Sequence, residues 1–473
     1  MSRTRPLTLE AGAKTVSTSE GVWSPRYRRL TLGLILLMTG PAFEGLAVAT
    51  ILPRVVANLG GLSLYGWSFS AYLLATILGL ILAGDEADRK GPAIPFIFGV
   101  SVFVLGLILA GTASSMLTFV LSRGVQGLGA GVIASVAYVC LGRGYPEQVK
   151  PQMIAILSSA WVVPGLIGPA LAGIVADFVG WRWVFLGLVP VLPFATILIL
   201  PALKTLAYSR SSGAWDRNRL FAALGLVIGA GLTLSGLQAP SLLFTLVMTL
   251  PGMILGTLSL YRILPKGTLK VKAGMPAAIA TMGILSLAFF GGDAFLPLTL
   301  ISIRGQSTLV AGAALTAATL TWAAGSWAQA RLAPQQGRRL LVTAGLILIA
   351  LALAGIACVL IPAVPVEVAV AAWGVGGLGM GLAYSTVSLV VLETAPAGQE
   401  GSATASMELA SVLGSALGTG LGGAIIAVAT ARGSTPGTGI VVVDILAIAV
   451  TGIAILTAVR LPGRPQQAAS LTL

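Results

Sequence analysis

Residues 30–53 read LTLGLILLMTGPAFEGLAVATILP, an apolar run that carries one ionisable side chain, Glu44, and is fenced by Arg29 and Arg54. A continuous apolar run of this length reads as a membrane-spanning helix, since about 20 such residues cross the hydrocarbon core of a bilayer. At a helical rise of about 1.5 Å per residue, Glu44 stands roughly 22 Å in from Arg29, well inside a layer of about 30 Å. An acid at that depth costs on the order of 2.5–3.5 kcal/mol, so it faces a cavity or a partner rather than lipid. Its simplest work is binding a proton or a cation.

Composition extends this reading to the whole molecule. The 473 residues are 56% hydrophobic and only 9% charged, whereas ordinary globular proteins carry about 25% charged residues. The chain is therefore an integral membrane protein with little left for soluble domains. Apolar runs between charged or turn-rich breaks give fourteen candidate spans. The first six are 30–53, 65–83, 93–113, 116–141, 153–179 and 183–203. Two inserted spans, 220–237 and 242–260, follow a short polar stretch. The last six are 275–303, 307–330, 340–361, 368–392, 402–430 and 439–459.

Basic residues assign sides to these spans, because cytoplasmic loops hold an excess of Lys and Arg. Of the 28 Lys and Arg, only Arg54, Arg182, Arg304 and Arg432 fall on one face, and Arg123 lies within a span. All the others fall on the face that holds the N-terminus. This predicts a multi-pass protein with N- and C-termini both cytoplasmic and an even number of spans. The net charge of +13 then needs no nucleic-acid partner, because a basic cytoplasmic fringe meets anionic lipid headgroups.

Other chemistry finds little support. Residues 1–24 are polar, without an apolar core, and read as a disordered cytoplasmic tail rather than a cleaved signal peptide. The two cysteines, Cys140 and Cys358, fall in or at the ends of spans, so neither a disulfide framework nor a metal site is expected. There are no histidines, so a proton relay would use carboxylates, Arg, Tyr and water. No nucleotide-binding loop of the Gly-x-x-x-x-Gly-Lys type points to an ATP-driven pump.

The chain also echoes itself. Gly168-Pro169-Ala170-Leu171-Ala172-Gly173 in the fifth span has the small-residue rhythm of Gly418-Thr419-Gly420-Leu421-Gly422-Gly423 in the equivalent span of the second half. Asp293 precedes Arg304 by almost the distance at which Glu44 precedes Arg54. Internal repeats are a mark of secondary transporters. Two halves, each with a carboxylate at similar depth, are expected.

Five motifs carry a family resemblance. Gly84-Asp85-Glu86-Ala87-Asp88-Arg89-Lys90-Gly91, between the second and third spans, resembles the loop signature of the major facilitator superfamily, with Glu86 in place of its usual apolar residue. Its glycines permit a tight turn and its charges can pair with helix ends; the bland reading is a solvated charged turn. The second copy survives only as Gly325 with Gly337-Arg338-Arg339. Leu121-Ser122-Arg123-Gly124-Val125-Gln126-Gly127-Leu128-Gly129 is similar to the family's intramembrane Arg motif. A buried Arg stays charged and can orient a carboxylate, or else it snorkels to an interface and anchors its helix. Gly165-Leu166-Ile167-Gly168-Pro169-Ala170-Leu171-Ala172-Gly173 is similar to the motif that marks antiporters. Trp181-Arg182-Trp183-Val184-Phe185 with Pro190 looks like the following segment of the fourteen-span drug:proton antiporters. Finally, Glu44 to Pro53 matches the spacing of the family's first-span motif, with Glu for the commoner Asp.

The resemblance implies an all-α major facilitator fold: a cytoplasmic tail (1–29), a six-helix bundle (30–203), linkers with two extra spans (204–274), a second six-helix bundle (275–460) and a C-terminal tail (461–473). It implies a proton-coupled exporter of small amphipathic or lipophilic compounds, not an enzyme. Such a protein works as a monomer in a bacterial-type cell membrane, driven by the proton gradient without a cofactor. Glu44, Asp293, Arg123 and Glu408 are the expected proton-coupling residues, Glu408 having an equal reading as a helix-end cap. Gly84, Asp88, Arg89 and Gly91 form the expected conformational loop, and Gly165, Gly168, Pro169 and Gly173 the antiporter motif. Phe43, Tyr72, Trp161 and Phe290 are candidate cavity aromatics, with Trp67, Trp322 and Trp373 behind them; a lipid-facing or packing role is the alternative for each. Asp177, Glu367 and Asp444 are expected at interfaces. Export of a lipid or metabolite, uptake by symport, and a non-transporting sensor or scaffold are the competing classes; buried acids count against the last.

Overall fold

The computed structural model describes residues 21–25, 27–146, 149, 152, 153, 156, 162–205, 217–239, 241–396 and 399–463. The first group of helices is α1 (Arg28–Leu59), α2 (Tyr65–Lys90), α3 (Ala93–Gly111), α4 (Met116–Gly144), α5 (Val162–Phe178), α6 (Arg182–Leu186) and α7 (Val191–Thr205). Two inserted helices follow, α8 (Arg217–Leu237) and α9 (Leu242–Ile263). The last group is α10 (Met275–Asp293), α11 (Thr308–Leu332), α12 (Arg338–Val359), α13 (Glu367–Thr394), α14 (Glu400–Ala431) and α15 (Pro436–Ala458). Among the described residues, 13 helical stretches are long and apolar enough to cross a membrane, and Val163–Phe178 is a shorter apolar helix. A helix satisfies its backbone groups internally, which suits an apolar chain in lipid, where no water is present to do so.

Short connections run the helices up and down, so the molecule has two ends. The near end is where α1 starts and the far end is where it stops. Four helices that start at the far end open on a hydroxyl cap: Ser115, Ser241, Ser307 and Thr435 each accept a bond from the backbone N–H three residues on. These caps satisfy donors that the first helical turn leaves open.

Two expected spans are broken. The span expected at 183–203 is α6, a turn and then α7; Leu188, Val189 and Val191 donate to carbonyls three residues back, and Pro190 has no N–H to continue the ladder. The span expected at 275–303 stops as an α-helix at Asp293 and resumes as a π-helical turn, Leu298–Ile303. Pro297 stands at the junction and cannot donate.

Each half has its own core. Leu34, Leu37, Ile51, Phe96, Phe103, Phe119 and Phe185 belong to the first, and Met282, Leu285, Phe289, Leu346, Leu353 and Trp373 to the second. The halves meet along two seams that gather toward the far end. In the α2–α14 seam, a side chain at Gly66 would run into the Thr419 carbonyl and Gly423 Cα, so only glycine lets the two backbones approach. Ser70 donates to the Ala416 carbonyl at 2.8 Å, and Tyr65 reaches the Ala294 carbonyl at 3.0 Å. In the α5–α11 seam, Gly312 lies against the Pro169 backbone and Gly165 against Thr319, whose neighbour Thr316 donates to the Gly165 carbonyl at 3.3 Å. Arg54 and Asp177 pair at 2.5 Å at the far end of this seam, and both engage Thr308 of α11.

The inserted pair lies over one seam. Ala223, Leu226 and Ala230 of α8 pack with Leu74, Ile77 and Ile81 of α2 and with Leu409, Leu413 and Ala416 of α14. α9 packs on α8 through close Gly229–Gly252 and Gly229–Gly256 approaches and otherwise buries only Ser259. The architecture is two helical bundles with a peripheral helix pair. The pair is central in the sequence and lateral in space.

Candidate functional site

Glu44 is buried, at 1% exposure, and so is Arg123, at 2%. The Arg123 guanidinium donates to Glu44 Oε1 and forms an ion pair with it. It also donates to Gln126 Oε1 at 2.6 Å and to the Ser68 carbonyl at 3.1 Å, and it lies 4.3 Å from the centroid of the Tyr72 ring. The spacing in α4 explains part of this: Arg123 and Gln126, three residues apart, share a helix face. Two polar atoms of the group have no partner, Glu44 Oε2 and Gln126 Nε2. A buried acceptor left open costs about 1–3 kcal/mol. Arg123 does not snorkel to an end of α4; its charge is spent on the interior.

A second carboxylate sits in the other bundle. Asp293 is the last residue of α10, at the helix break, and accepts a bond from the Trp373 indole N–H at 2.7 Å. The Trp373 ring stacks on Phe289, with centroids 4.8 Å apart and planes 12° from parallel. Phe289 meets Phe290 and Trp322 edge-on, at 5.3 and 5.8 Å, and Trp322 meets Tyr384 at 5.6 Å. The Tyr384 hydroxyl reaches Glu408 Oε2 at 3.3 Å. An aromatic cluster drawn from α10, α11 and α13 thus runs between two acids. Phe289 and Asp293 are four residues apart on α10, and Trp373 and Tyr384 about three turns apart on α13, so each pair shares a face.

The structure brings Glu44, Arg123 and Tyr72 into one group and joins Asp293, Phe290 and Glu408 through a second. It does not bring Glu44 to Asp293. Phe43 packs beside Gly168, where an added side chain would stand 3.4 Å from its ring. Trp161 lies outside the described residues. Gly165, Pro169 and Gly173 face α11, Gly173 lying beside Thr308.

The loop expected at 84–91 differs in form. Residues through Lys90, including Gly84, Asp88 and Arg89, continue α2, and only Gly91 (φ 82°) turns the chain. Nothing in that stretch before Gly91 breaks a helix strongly enough to stop it. The degenerate second copy does hold charges in place: Arg338 is buried and grips both oxygens of Glu393, at 2.7 and 3.2 Å, while donating to the Ala333 carbonyl. Asp444, expected at an interface, is instead buried in α15 with Oδ2 unpartnered. Asp177 is partly exposed in its pair with Arg54. Cys140 is buried and Cys358 exposed, and no disulfide joins them.

Sequence reasoning missed Tyr384 and the tie between Trp373 and Asp293. The signal was weak. Aromatics in membrane helices are common, and the donor lies 80 residues from its acceptor.

Paired helical bundles with charged groups buried in both describe a multi-pass membrane protein of the transporter type. The chain belongs to the Major Facilitator Superfamily, whose family model matches residues 30–419. Among curated proteins it is similar to Multidrug transporter protein MdtP of Bacillus subtilis, with 32% identity over 187 residues, 40% of this chain and 34% of that protein. It is also similar to a probable multidrug-efflux transporter of Mycobacterium tuberculosis, with 30% identity over 192 residues, 40% of each chain. The matched stretches therefore span well under two thirds of these relatives. Among solved structures, a bacterial homolog of the human lysosomal transporter Spinster superposes with a TM-score of 0.65 at 15% identity, covering 92% of this chain and 98% of that one. A D-xylose-proton symporter gives 0.63 at 14% identity, covering 90% and 97%. These two likenesses concern the fold.

Proposed function

We propose that this protein is a proton-coupled secondary transporter that exports small amphipathic or lipophilic compounds by alternating access, from a cell membrane in which both termini are cytoplasmic. The observation that carries the reading is the buried Glu44–Arg123 pair with one carboxylate oxygen left open. A charge pair out of contact with water is a poor source of stability, but it is a good switch. A proton arriving on Glu44 cancels its charge and leaves Arg123 in need of another acceptor, so protonation favours a different arrangement of the helices around it. Such a differential effect on two conformations is what coupling requires. Asp293, at a helix break and bonded to Trp373, gives the second bundle a comparable group. The glycine-lined α5–α11 seam supports the antiporter reading, and relatives described as multidrug transporters favour export over uptake.

The test uses proteoliposomes under an imposed pH gradient and a lipophilic cationic dye. Wild type should move dye against its gradient, and Glu44→Gln and Asp293→Asn should each abolish the pH-driven part while leaving folded protein in the membrane. Absence of gradient-driven movement by wild type over a varied panel of compounds would sink the proposal, as would coupling that survives both substitutions. Export of a lipid is distinguished by replacing the dye with a fluorescent phospholipid.

A further inference from the structure

At the near end, the start of α8, the end of α9 and the start of α14 line a half-open cavity of about 560 Å³. Its wall carries Arg219 and Arg262 from the two inserted helices, Asn218, and the hydroxyl-bearing Ser402 and Ser406 of α14. Lys266 and Lys270 follow on the adjoining segment, both exposed. Glu400 stands exposed at the first turn of α14, two residues before Ser402. The helix that supplies Arg262 is exposed and apolar along its length; Tyr261, Leu258, Ile254 and Leu250 of α9 are all exposed and recur every three or four residues, so they share one face of the helix as an apolar stripe.

We infer that this cavity binds the phosphate of an anionic phospholipid headgroup, with the acyl chains lying on the α9 stripe. Two guanidiniums supply forked donors that match phosphate oxygens, and hydroxyl and amide groups complete the shell. Free phosphate shares the headgroup chemistry but has no use for the stripe. Basic pockets between helices on the basic side of a membrane protein suit such headgroups. The site draws residues from three helices, and Ser406 lies two residues before Glu408. A bound lipid therefore holds the inserted pair to the α14 segment that carries that acid. This inference is independent of what the protein exports.

Purified full-length protein is incubated with an equimolar mixture of phosphatidylglycerol and phosphatidylcholine, and retained lipid is counted by native mass spectrometry. Wild type should prefer phosphatidylglycerol, with about fivefold of the preference lost per arginine removed. Arg219→Gln/Arg262→Gln should lose it, as should Ser402→Glu, which places a carboxylate in the cavity and keeps both arginines. Arg432→Gln, at the far end, should keep it. The inference is overturned if wild type shows no preference or if Ser402→Glu and the double variant both retain it; should the double variant not fold, Ser402→Glu alone decides. Millimolar inorganic phosphate that strips the phosphatidylglycerol completely would reassign the site to free phosphate and also overturn it.

Discussion

Arg123 and Trp373 do the same job in opposite halves: each donates to a carboxylate with one arm and packs against an aromatic ring with its body. The Arg123 guanidinium serves Glu44, Gln126, a backbone carbonyl and the face of Tyr72, which uses the forked geometry that lysine lacks. Trp373 is simpler, with one N–H on Asp293 and one ring face on Phe289. Its two roles can therefore be separated. In Trp373→Phe the ring can still stack while the donor is lost, and a hydrogen bond to a charged acceptor is worth about 1.5–3 kcal/mol. Gradient-driven exchange by this variant should fall about tenfold or more, with melting in detergent little changed. Equal exchange in Trp373→Phe and wild type would remove Asp293's donor from the coupling scheme. The Glu44–Arg123 pair was legible from the sequence, because a buried acid demands a partner and the chain offers a single Arg inside a span. Trp373 was legible only as one aromatic among several, since its meaning depends on where α13 stands relative to α10.

Helices α5 and α14 carry the repeated glycine rhythm, and each makes one of the two cross-bundle seams. The repeat seen in the sequence thus has a physical basis: both helices must let a foreign backbone approach, and small residues are the means. At Gly66, on the partner side of the α14 seam, an added side chain meets backbone atoms that cannot rotate away. Gly66→Val should disfavour this seam by about 1–3 kcal/mol and slow exchange accordingly, whereas Gly45→Val, with nothing within 4 Å of the new Cβ, should be benign. The comparison is read from transport rates and thermal melting of the two variants; equal behaviour would show that the seam tolerates opening. The sequence anticipated these helices well and erred where helices break. Residues 183–203 and 275–303 are continuous in hydropathy, so nothing in the apolar pattern marks the turn before α7 or the π-helical turn after Asp293. Those breaks follow from Pro190 and Pro297, two of the 25 prolines in the chain, whereas Pro41, Pro53, Pro169, Pro201 and Pro251 stand inside helices without ending them.

Over the whole molecule, the two bundles are related by similar helix contacts, yet the inserted pair attaches to only one side. α8 lies over the α2–α14 seam, while along the α5–α11 seam Leu166, Leu171, Ile174, Leu309, Leu320 and Trp327 stay exposed. The consequence for a compound dissolved in the bilayer is handedness. One seam is covered by the inserted helices and the other is bare, so the two flanks of an otherwise two-fold scaffold differ in their exposure to lipid. Trp67, partly buried near Gly231 of α8, and Trp327, 70% exposed, report the two flanks. In single-tryptophan variants reconstituted with brominated phospholipid, Trp327 should be strongly quenched and Trp67 largely spared, and equal quenching would mean that lipid reaches both flanks alike. The protein therefore has a front and a back in the plane of the membrane, told apart by which of its two seams a lipid can touch.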